Sequence, residues 1–329
     1  MHRVVVTGGS GFIGTHVMRM VRGRHIEAIA LSRSGECPGL VRADIRDRHA
    51  LETILLPGDT VIHLANSTNP TTSESDRIRD VEENLVGTLQ LLEACVKKRV
   101  SKFVFASSGG TVYGIPSAIP IPETHETNPI SAHGVMKLAA EKYVQMYGAQ
   151  LGLEYLILRF ANAYGPGQTG EQGQGVIGRA IQKALRDEPL EIWGDGTVVR
   201  DFIYVEDVAE ALLLAITSDA TGEAVNIGSG TRTSVNDIVE LVGRAMGRRL
   251  RTTYTPSRKI DVPVSVLDIT KAASVLGWKP STPVEVGISL CCEWATGRAP
   301  DSPGSGGSAL AAGGYRKDSS RSPSEKQPS

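Results

Sequence analysis

The sequence has little of several features that would direct a protein to a particular environment. Among its 329 residues, 5% are aromatic and four are cysteines, and 35 basic residues nearly balance 36 acidic ones, for a formal net charge of −1. This balance gives no electrostatic reason to expect nucleic acid or an anionic membrane as a partner. No apolar run reaches the length of a membrane span. We therefore expect neither kind of partner.

The small number of cysteines also limits which metal sites and which cellular compartment we expect. None of the four cysteines has metal-ligand spacing to another, and we expect no metal site; they are Cys37, Cys95, Cys291 and Cys292. The adjacent pair falls in an apolar helical run and is predicted to lie in the core. His2 and Arg3 lead directly into a β-branched run, which leaves no room for a signal peptide. These features predict a cytoplasmic protein.

Glycines near the N-terminus, in contrast, follow a spacing that indicates a ligand-binding loop. Three valines (4–6) are typical of a short buried strand, and Gly8, Gly11 and Gly14 follow before a run with helical spacing. Gly8 permits a tight turn, Gly11 lets the backbone approach a pyrophosphate, and Gly14 lets helix and strand pack closely. The helix N-terminus offers N–H groups and a positive dipole end. An ordinary tight turn is the alternative to a dinucleotide site formed by these glycines with Ser10, Phe12 and Ile13.

The end of the second predicted strand bears on which dinucleotide binds. Residues 26–31 predict that strand, and an acidic residue just after it would bind the 2′-hydroxyl of NAD. Ser32 and Arg33 occupy the place instead. A hydroxyl and a guanidinium suit a 2′-phosphate, because arginine offers a fork of donors and a fixed charge. The sequence favours NADP over NAD, unless Arg33 stacks on the adenine or points into water.

Further strand ends are predicted to border the cofactor. A short strand precedes Asp44 and Ile45, where a carboxylate could accept the amino hydrogens of adenine. The next buried strand ends in Leu64 and Ala65, beside which the cofactor would lie. We interpret His63 in that strand as a core histidine rather than a catalyst.

The stretch that follows has two predicted parts. Residues 67–79 are polar and lack periodicity, which predicts a flexible loop over the cofactor. Asn84, a candidate cofactor ligand, then opens a helix with one apolar face. The next strand, 102–108, runs into a turn that contains Thr111. Ser108 and Thr111 stand where open α/β sheets place ligands, at the carboxyl end of a strand.

Strands that alternate with helices at this spacing predict an α/β fold, a Rossmann-type doubly wound parallel sheet. Residues 1–167 are predicted to form the dinucleotide-binding domain, with a return segment near 200–217. Residues 168–297 are predicted to form a smaller α/β C-terminal substrate lobe, completed by a short strand at 224–227. From residue 298 the composition shifts to Ser, Gly, Pro and charge, which predicts a disordered tail, 298–329.

Taken together, several motifs in order resemble the NAD-dependent epimerase/dehydratase family of extended short-chain dehydrogenases/reductases, which act on nucleotide sugars. The resemblance runs from about residue 2 to 296. It rests on Thr-Gly-Gly-Ser-Gly-Phe-Ile-Gly (7–14), Ala-Asp-Ile-Arg-Asp (43–47), His-Leu-Ala (63–65), Asn-Leu-Val-Gly-Thr (84–88), Ser-Ser-Gly-Gly-Thr-Val-Tyr-Gly (107–114), Arg-Phe-Ala-Asn-Ala-Tyr-Gly-Pro-Gly (159–167), Arg-Asp-Phe-Ile-Tyr-Val-Glu-Asp-Val (200–208), Asn-Ile-Gly-Ser-Gly (226–230) and Leu-Gly-Trp-Lys-Pro (276–280).

The resemblance implies roles for four residues. Asn162 would bond the sugar-nucleotide diphosphate, and Arg200 and Arg258 would neutralise its charge, a task that suits a bidentate guanidinium. A solvated surface ion pair is the alternative for each arginine. Lys137 would hold the nicotinamide ribose and lower the pKa of a neighbouring base.

At the catalytic centre the sequence departs from the family twice. The family places a tyrosine four residues before the lysine, where this chain has His133, and a serine or threonine where it has Gly109. A neutral imidazole can serve as the general base, because its pKa of about 6.5 needs less adjustment than a phenol's of about 10. Ser108 or Thr111 could supply the missing hydroxyl. Gly110 and Thr111 replace the Asp-Glu pair of the family's dehydratases, so we do not expect dehydration.

These observations predict a nucleotide-sugar 4-epimerase that oxidises C4 of the sugar transiently and reduces it again, with NAD or NADP as cofactor. Two alternatives remain open. Arg33 also suits an NADPH-dependent reductase of 4-keto-deoxysugar nucleotides, and His133 with Gly109 suits a cofactor-binding protein with a weakened site. By family analogy, we expect a homodimer formed through helices at 84–97 and 134–150.

Overall fold

The computed structural model describes residues 3–68, 70–168, 175–257 and 262–297. Its strands are β1 (Val4–Thr7), β2 (Ala28–Ser32), β3 (Leu40–Arg42), β4 (Thr60–His63), β5 (Lys102–Ser108), β6 (Tyr155–Phe160), β7 (Asn162–Tyr164), β8 (Leu190–Trp193), β9 (Val199–Arg200), β10 (Phe202–Tyr204), β11 (Glu223–Ile227), β12 (Thr233–Ser234), β13 (Thr252–Thr255) and β14 (Val264–Ser265).

The helices lie between these strands and after them. They are α1 (Phe12–Gly23), α2 (Arg48–Ile54), α3 (Pro70–Ser75), α4 (Arg77–Asp80), α5 (Val86–Lys98), α6 (Ala132–Leu151), α7 (Val176–Arg186), α8 (Val205–Thr217), α9 (Val235–Ala245), α10 (Thr270–Leu276) and α11 (Val284–Ala295), with a π-helical turn (Val81–Leu85) joining α4 to α5. No helix in the described ranges is long and apolar enough to cross a membrane.

Within the described residues, seven strands form one parallel sheet in the order β11-β6-β5-β4-β1-β2-β3. Its central strands are apolar on both faces and fully buried, as parallel sheets covered by helices require. One core layer lies between the sheet and α1 with α8, and a second lies under α5 and α6. This architecture confirms the predicted α/β fold of the Rossmann type.

The strand predicted at 224–227 was expected in the smaller lobe, and that placement is wrong. β11 pairs in parallel with β6, with Val225 opposite Leu158, and forms an edge of the large sheet. Val225 and Ile227 are fully buried in the same core layer as α1 and α8. The sequence pattern predicts an extended apolar segment but contains no information about its partner strand, because sheet pairing is non-local.

A third apolar core lies apart from the large sheet and unites α7, α9 and α11 with β8 and β10. Cys291 and Cys292 are buried in it, as predicted. Two short strands, β9 and β10, flank Asp201. β9 pairs with β12 and β14, whereas β10 pairs with β7. The Asp201 carboxylate accepts hydrogen bonds from the backbone N–H groups of Ser229 (2.7 Å) and Gly230 (3.1 Å).

Residues 67–79 were expected to form a flexible loop, and the structure corrects this. Most of the segment is helical, as α3 and α4. The Asp76 carboxylate caps α4 by accepting a hydrogen bond from the Arg79 N–H at 3.0 Å. Glu74 accepts a hydrogen bond from the Ala132 N–H, at the start of α6, at 2.6 Å. These helices are short and polar and are stabilised by tertiary contacts, which periodicity does not show. The predicted tail, 298–329, lies outside the described residues.

Candidate active site

The loop between β1 and α1 has the tight geometry that a phosphate cradle needs. Gly8 has a φ of +70°, and a Cβ there would lie 2.8 Å from the backbone nitrogen of Ala65. A Cβ on Gly14 would lie 2.2 Å from the carbonyl oxygen of Gly8. A side chain at either position would collide with backbone, so only glycine permits this tight loop, and the residues present fit a loop that leaves space for a pyrophosphate. α1 then starts at Phe12 and presents its N-terminus to that space.

A cleft beside this loop brings together most of the residues that the sequence assigned to the cofactor. It lies at the carboxyl ends of the parallel strands, where open α/β sheets bind ligands. The predicted residues that line it are Gly8, Ser10, Gly11, Ser32, Arg33, Asp44, Ile45, Ala65 and Asn84. Leu64 instead packs against the core, and Phe12, Ile13 and Gly14 start α1.

Arg33 is already engaged by carboxylates at the rim of this cleft. Its guanidinium lies 3.3 Å from the Glu83 carboxylate and 3.9 Å from that of Asp44. Asp44 also accepts a hydrogen bond from Arg46 at 2.7 Å, which together with the Arg46 charge holds the pKa of Asp44 below its ordinary value. A 2′-phosphate at Arg33 would therefore meet two carboxylates as well as the guanidinium.

Asn84 is buried in the π-helical turn, and its side-chain amide bonds the protein. Its Oδ1 accepts a hydrogen bond from the Ser67 N–H at 2.8 Å, and its Nδ2 donates to Thr68 Oγ1 (2.9 Å) and Asp80 Oδ1 (2.8 Å). Asn84 thus holds the loop after β4 against the helix. Its position at the cleft agrees with the prediction, but these bonds show that it shapes the cleft wall.

His63 is a core histidine. It lies between two buried hydroxyls, with Nδ1 2.7 Å from Thr7 Oγ1 and Nε2 2.9 Å from Thr88 Oγ1. Burial, with a smaller effect from the charge of Lys137, lowers the pKa of His63 to about 3. The imidazole is therefore neutral at any physiological pH, as a structural role requires.

The first turn of α6 carries the candidate base. Ser131 caps the helix by accepting a hydrogen bond from the Gly134 N–H at 3.2 Å. His133 lies between them and is 8% exposed. One turn later, buried Lys137 donates from Nζ to the Ala106 carbonyl at 2.9 Å. Capping and this bond fix both side chains relative to the end of β5.

Burial sets the charge of both groups. It lowers the pKa of His133 to about 4; Lys137 lowers it further, while Asp80 acts in the opposite direction. Burial also lowers the pKa of Lys137 to about 8, against the opposing charges of Asp80 and Glu141. His133 is thus neutral and Lys137 mainly protonated at pH 7. Among the described residues, His133 Nδ1 is buried and has no hydrogen-bond partner.

The turn after β5 lies against this helix. A Cβ on Gly134 would lie 2.7 Å from the Thr111 carbonyl oxygen, which shows how closely the two backbones approach. Ser108 and Thr111 are half-buried there. At Gly109, a Cβ would lie 2.7 Å from Leu267 Cδ1 and 3.1 Å from the Arg159 carbonyl oxygen. A hydroxyl residue at this position would therefore require the Leu267 side chain to move.

The substrate side is partly described. Asn162 donates from Nδ2 to the Asp201 carbonyl at 3.0 Å and lies 3.9 Å from where a Cβ on Gly110 would be, so it faces the same turn. Arg200 donates to the carbonyls of Val199 (2.9 Å) and Val262 (2.5 Å) and is half-buried. Arg258 lies outside the described residues. The diphosphate role of these three residues stays a prediction.

Sequence reasoning missed a buried ion pair behind the candidate base. Arg159 of β6 donates to Glu141 of α6 at 2.7 Å, with side chains 6% and 0% exposed, and also donates to the Tyr113 hydroxyl at 2.9 Å. Glu141 stands one helical turn after Lys137, so the pair anchors α6 to the sheet below the site. Its signal in the sequence was the single charge of Arg159 in the otherwise apolar segment that forms β6.

Comparison with known proteins places this geometry in a family. Residues 4–228 match the family model "NAD dependent epimerase/dehydratase family". A candidate UDP-glucose 4-epimerase of Methanocaldococcus jannaschii is 39% identical over 300 residues, which cover 88% of this chain and 97% of that protein.

Solved structures are similarly close. A UDP-glucose 4-epimerase of Thermotoga maritima, crystallised with UDP-glucose, superposes with a TM-score of 0.86 at 36% identity, covering 90% of this chain and 99% of that one. A UDP-glucose 4-epimerase of Thermus thermophilus in complex with NAD gives a TM-score of 0.85 at 34% identity, with coverages of 90% and 99%. The chain belongs to the NAD-dependent epimerase/dehydratase family, and it is an enzyme of the extended short-chain dehydrogenase/reductase type.

Proposed function

We propose that this enzyme is a nucleotide-sugar 4-epimerase that uses a histidine base. The observation that carries the proposal is the neutral, buried imidazole of His133, with an unpartnered nitrogen, one helical turn before protonated Lys137. This is the position of the family's tyrosine, beside a cleft with intact cofactor geometry. The similarity to UDP-glucose 4-epimerases, one of them with UDP-glucose bound, supports a UDP-sugar as substrate.

Bound NAD would accept a hydride from C4 of the sugar and return it to the opposite face. The chain's own residues then have separate tasks. His133 takes the proton of the 4-hydroxyl and later returns it, which needs no group with a pKa near 10. Ser108 or Thr111 holds the reacting oxygen. Lys137 holds the cofactor ribose and keeps His133 neutral. Asn162 and Arg200, with Arg258, hold the diphosphate while the keto sugar turns.

We propose NAD, rather than NADP, as the resident cofactor. Arg33, on which the NADP prediction rested, is paired with Glu83 and Asp44, and these carboxylates would repel a 2′-phosphate. The UDP-glucose 4-epimerase of Thermus thermophilus, which is 34% identical to this chain, was solved in complex with NAD, and this supports the same choice. If the two carboxylates set the preference, Glu83→Gln will improve NADP binding several-fold while Glu82→Gln, an exposed neighbour, will not.

One incubation tests the reaction. Purified protein with UDP-glucose, UDP-N-acetylglucosamine or dTDP-glucose, without added cofactor, should yield the C4 epimer of at least one of them, detected by proton NMR. An epimerase regenerates its cofactor in every cycle, so turnover should exceed one per protein. Stoichiometric NADPH consumption with a 4-keto sugar nucleotide would instead establish a reductase. Absence of both reactions would favour a cofactor-binding protein with a weakened site.

We further propose a homodimer through the two helices named by sequence. α6 exposes Val135 (55%), Tyr143 (37%) and Met146 (36%), α5 exposes Val86 (39%), and the π-helical turn before α5 exposes Val81 (43%). Large apolar side chains grouped on adjacent helices are typical of a covered face. Light scattering should give twice the chain mass, and Val135→Asp should reduce it to a monomer. A monomeric wild-type protein would contradict the proposal.

A further inference from the structure

A buried carboxylate lies on the segment that packs against the helix of the candidate base. Asp80 is 1% exposed and ends α4, immediately before the π-helical turn. Its Oδ1 accepts hydrogen bonds from the Thr68 hydroxyl and from Asn84 Nδ2, the latter at 2.8 Å. α4 and the π-helical turn both pack against α6. Two donors therefore hold the carboxylate in place beneath the first turns of the catalytic helix, and π-helical turns often occur at functional sites.

The charged groups around His133 come from three elements. Lys137 lies on the same helix as His133, Asp80 comes from the end of α4, and Glu74 of α3 bonds the Ala132 N–H at 2.6 Å. Asp80 acts electrostatically on both His133 and Lys137. Of the two acidic groups, Asp80 is the buried one, since the Glu74 side chain is 22% exposed and is also paired with Arg77. In a desolvated site the charge of Asp80 acts with little screening.

We propose that Asp80 is a positioning residue that stabilises the imidazolium formed when His133 takes the proton of the sugar hydroxyl. The inference rests on the proposed function. The proton would pass from the hydroxyl oxygen to an imidazole nitrogen, while bound NAD would take the C4 hydride and the oxygen would become a carbonyl. The imidazole thus becomes cationic next to a fixed carboxylate, which favours that state.

The sign of this effect is specific to histidine. A phenol base is anionic when it is ready to react and neutral after it has taken the proton, so a nearby carboxylate hinders it. An imidazole is neutral when ready and cationic afterwards, so the same carboxylate assists it. The charge of Asp80 therefore assists a histidine base, whereas it would hinder a tyrosine base.

The first test measures His133 itself and needs no turnover. We expect Asp80→Asn to keep the bonds from Thr68 and Asn84, because the amide oxygen can accept both, while removing the charge. The ¹³Cε1 NMR shift of His133, assigned through His133→Gln, should titrate at least half a pH unit lower in Asp80→Asn than in the wild type. The matched control is Glu82→Gln, which removes an exposed charge from the π-helical turn that follows Asp80 and should leave the midpoint unchanged. Equal midpoints, or no protonation of His133 above pH 3.5 in either protein, would overturn the proposal.

The second test uses the opposite signs expected for the two bases. Asp80→Asn should lower kcat about threefold or more with KM little changed, because half a pKa unit corresponds to about a threefold change. In a His133→Tyr background the same substitution should leave kcat unchanged or raise it. A similar loss in both backgrounds would show a structural role and overturn the proposal. If the NMR midpoint shifts but the wild type has no epimerase activity, the proposed function fails while the pairing of Asp80 with His133 stands.

Discussion

The two halves of the cleft differ in how closely they follow the family pattern. The phosphate cradle keeps its glycines at positions 8, 11 and 14, whereas the catalytic side has His133 and Gly109 in place of a phenol and a hydroxyl. The cradle is formed by backbone that approaches backbone, and a Cβ on Gly14 would overlap the Gly8 carbonyl. Only glycine, which has no Cβ, satisfies that steric demand. A proton acceptor is defined by charge and pKa, and its surroundings can adjust both. A position fixed by steric contact therefore tolerates fewer residue types than a position whose task is to accept a proton.

The largest expected effect lies on the cradle side. Gly14→Val should abolish NAD binding and destabilise the fold, because added atoms would lie within 3 Å of the backbone of Gly8 and Gly9. Isothermal titration with NAD and a thermal melt measure the two consequences. Gly23→Ala in the same helix meets no atom within 4 Å and should bind NAD normally. If Gly14→Val bound NAD with wild-type affinity, the steric account of the cradle would be wrong.

On the catalytic side, removal of the base should cost turnover and spare binding. His133→Gln should lower kcat about 10²- to 10⁴-fold, the usual contribution of general acid–base catalysis, with NAD affinity unchanged. Steady-state kinetics and NAD titration separate these outcomes. His49→Gln, an exposed histidine on α2, is the matched control and should have full activity. Equal loss of NAD binding in His133→Gln would assign that residue to the cofactor instead.

The pH profile distinguishes this base from an ordinary histidine. With a pKa of about 4 for His133, kcat/KM should stay level from about pH 6.5 down to about pH 4. Below about pH 4 it should fall tenfold per pH unit. Above pH 8 it should decline as Lys137 loses its proton. The folded state should lose stability as the pH falls from about 6.5 to about 4, because the imidazole protonates near 6.5 in the unfolded chain and near 4 in the folded one. Circular dichroism at each pH separates unfolding from titration. A midpoint near 6.5 in the folded protein would contradict the buried, neutral base.

Restoring the family's hydroxyl should fail for a packing reason. Gly109→Ser should destabilise the protein by about 1–3 kcal/mol without raising kcat, since its Cβ would press on Leu267. Gly110→Ser is the control for stability, because a Cβ there meets only Asn162, at 3.9 Å. Denaturant unfolding of both variants gives the comparison. A more active and equally stable Gly109→Ser would show that the wild-type site lacks a hydroxyl it could accommodate.

Local sequence determined the cradle and most of the cleft. A buried strand, glycines at fixed spacing and a helix are specified within a dozen residues, so Gly8, Gly11 and Gly14 could be assigned their geometry from the pattern alone. Ser32 and Asp44 follow because strand ends of a parallel sheet meet at one edge. The exchange of tyrosine for His133 was visible for the same reason, by counting back from Lys137.

The tertiary structure alone decided what depends on distant partners. It placed β11 beside β6, folded 70–80 into helices against α6, paired Arg33 with Glu83, packed Leu267 against Gly109 and buried Asp80 near His133. These contacts join segments that are far apart in the chain. Their effects on pKa and specificity arise from burial and from the charges that surround a group in space, and a linear pattern contains neither.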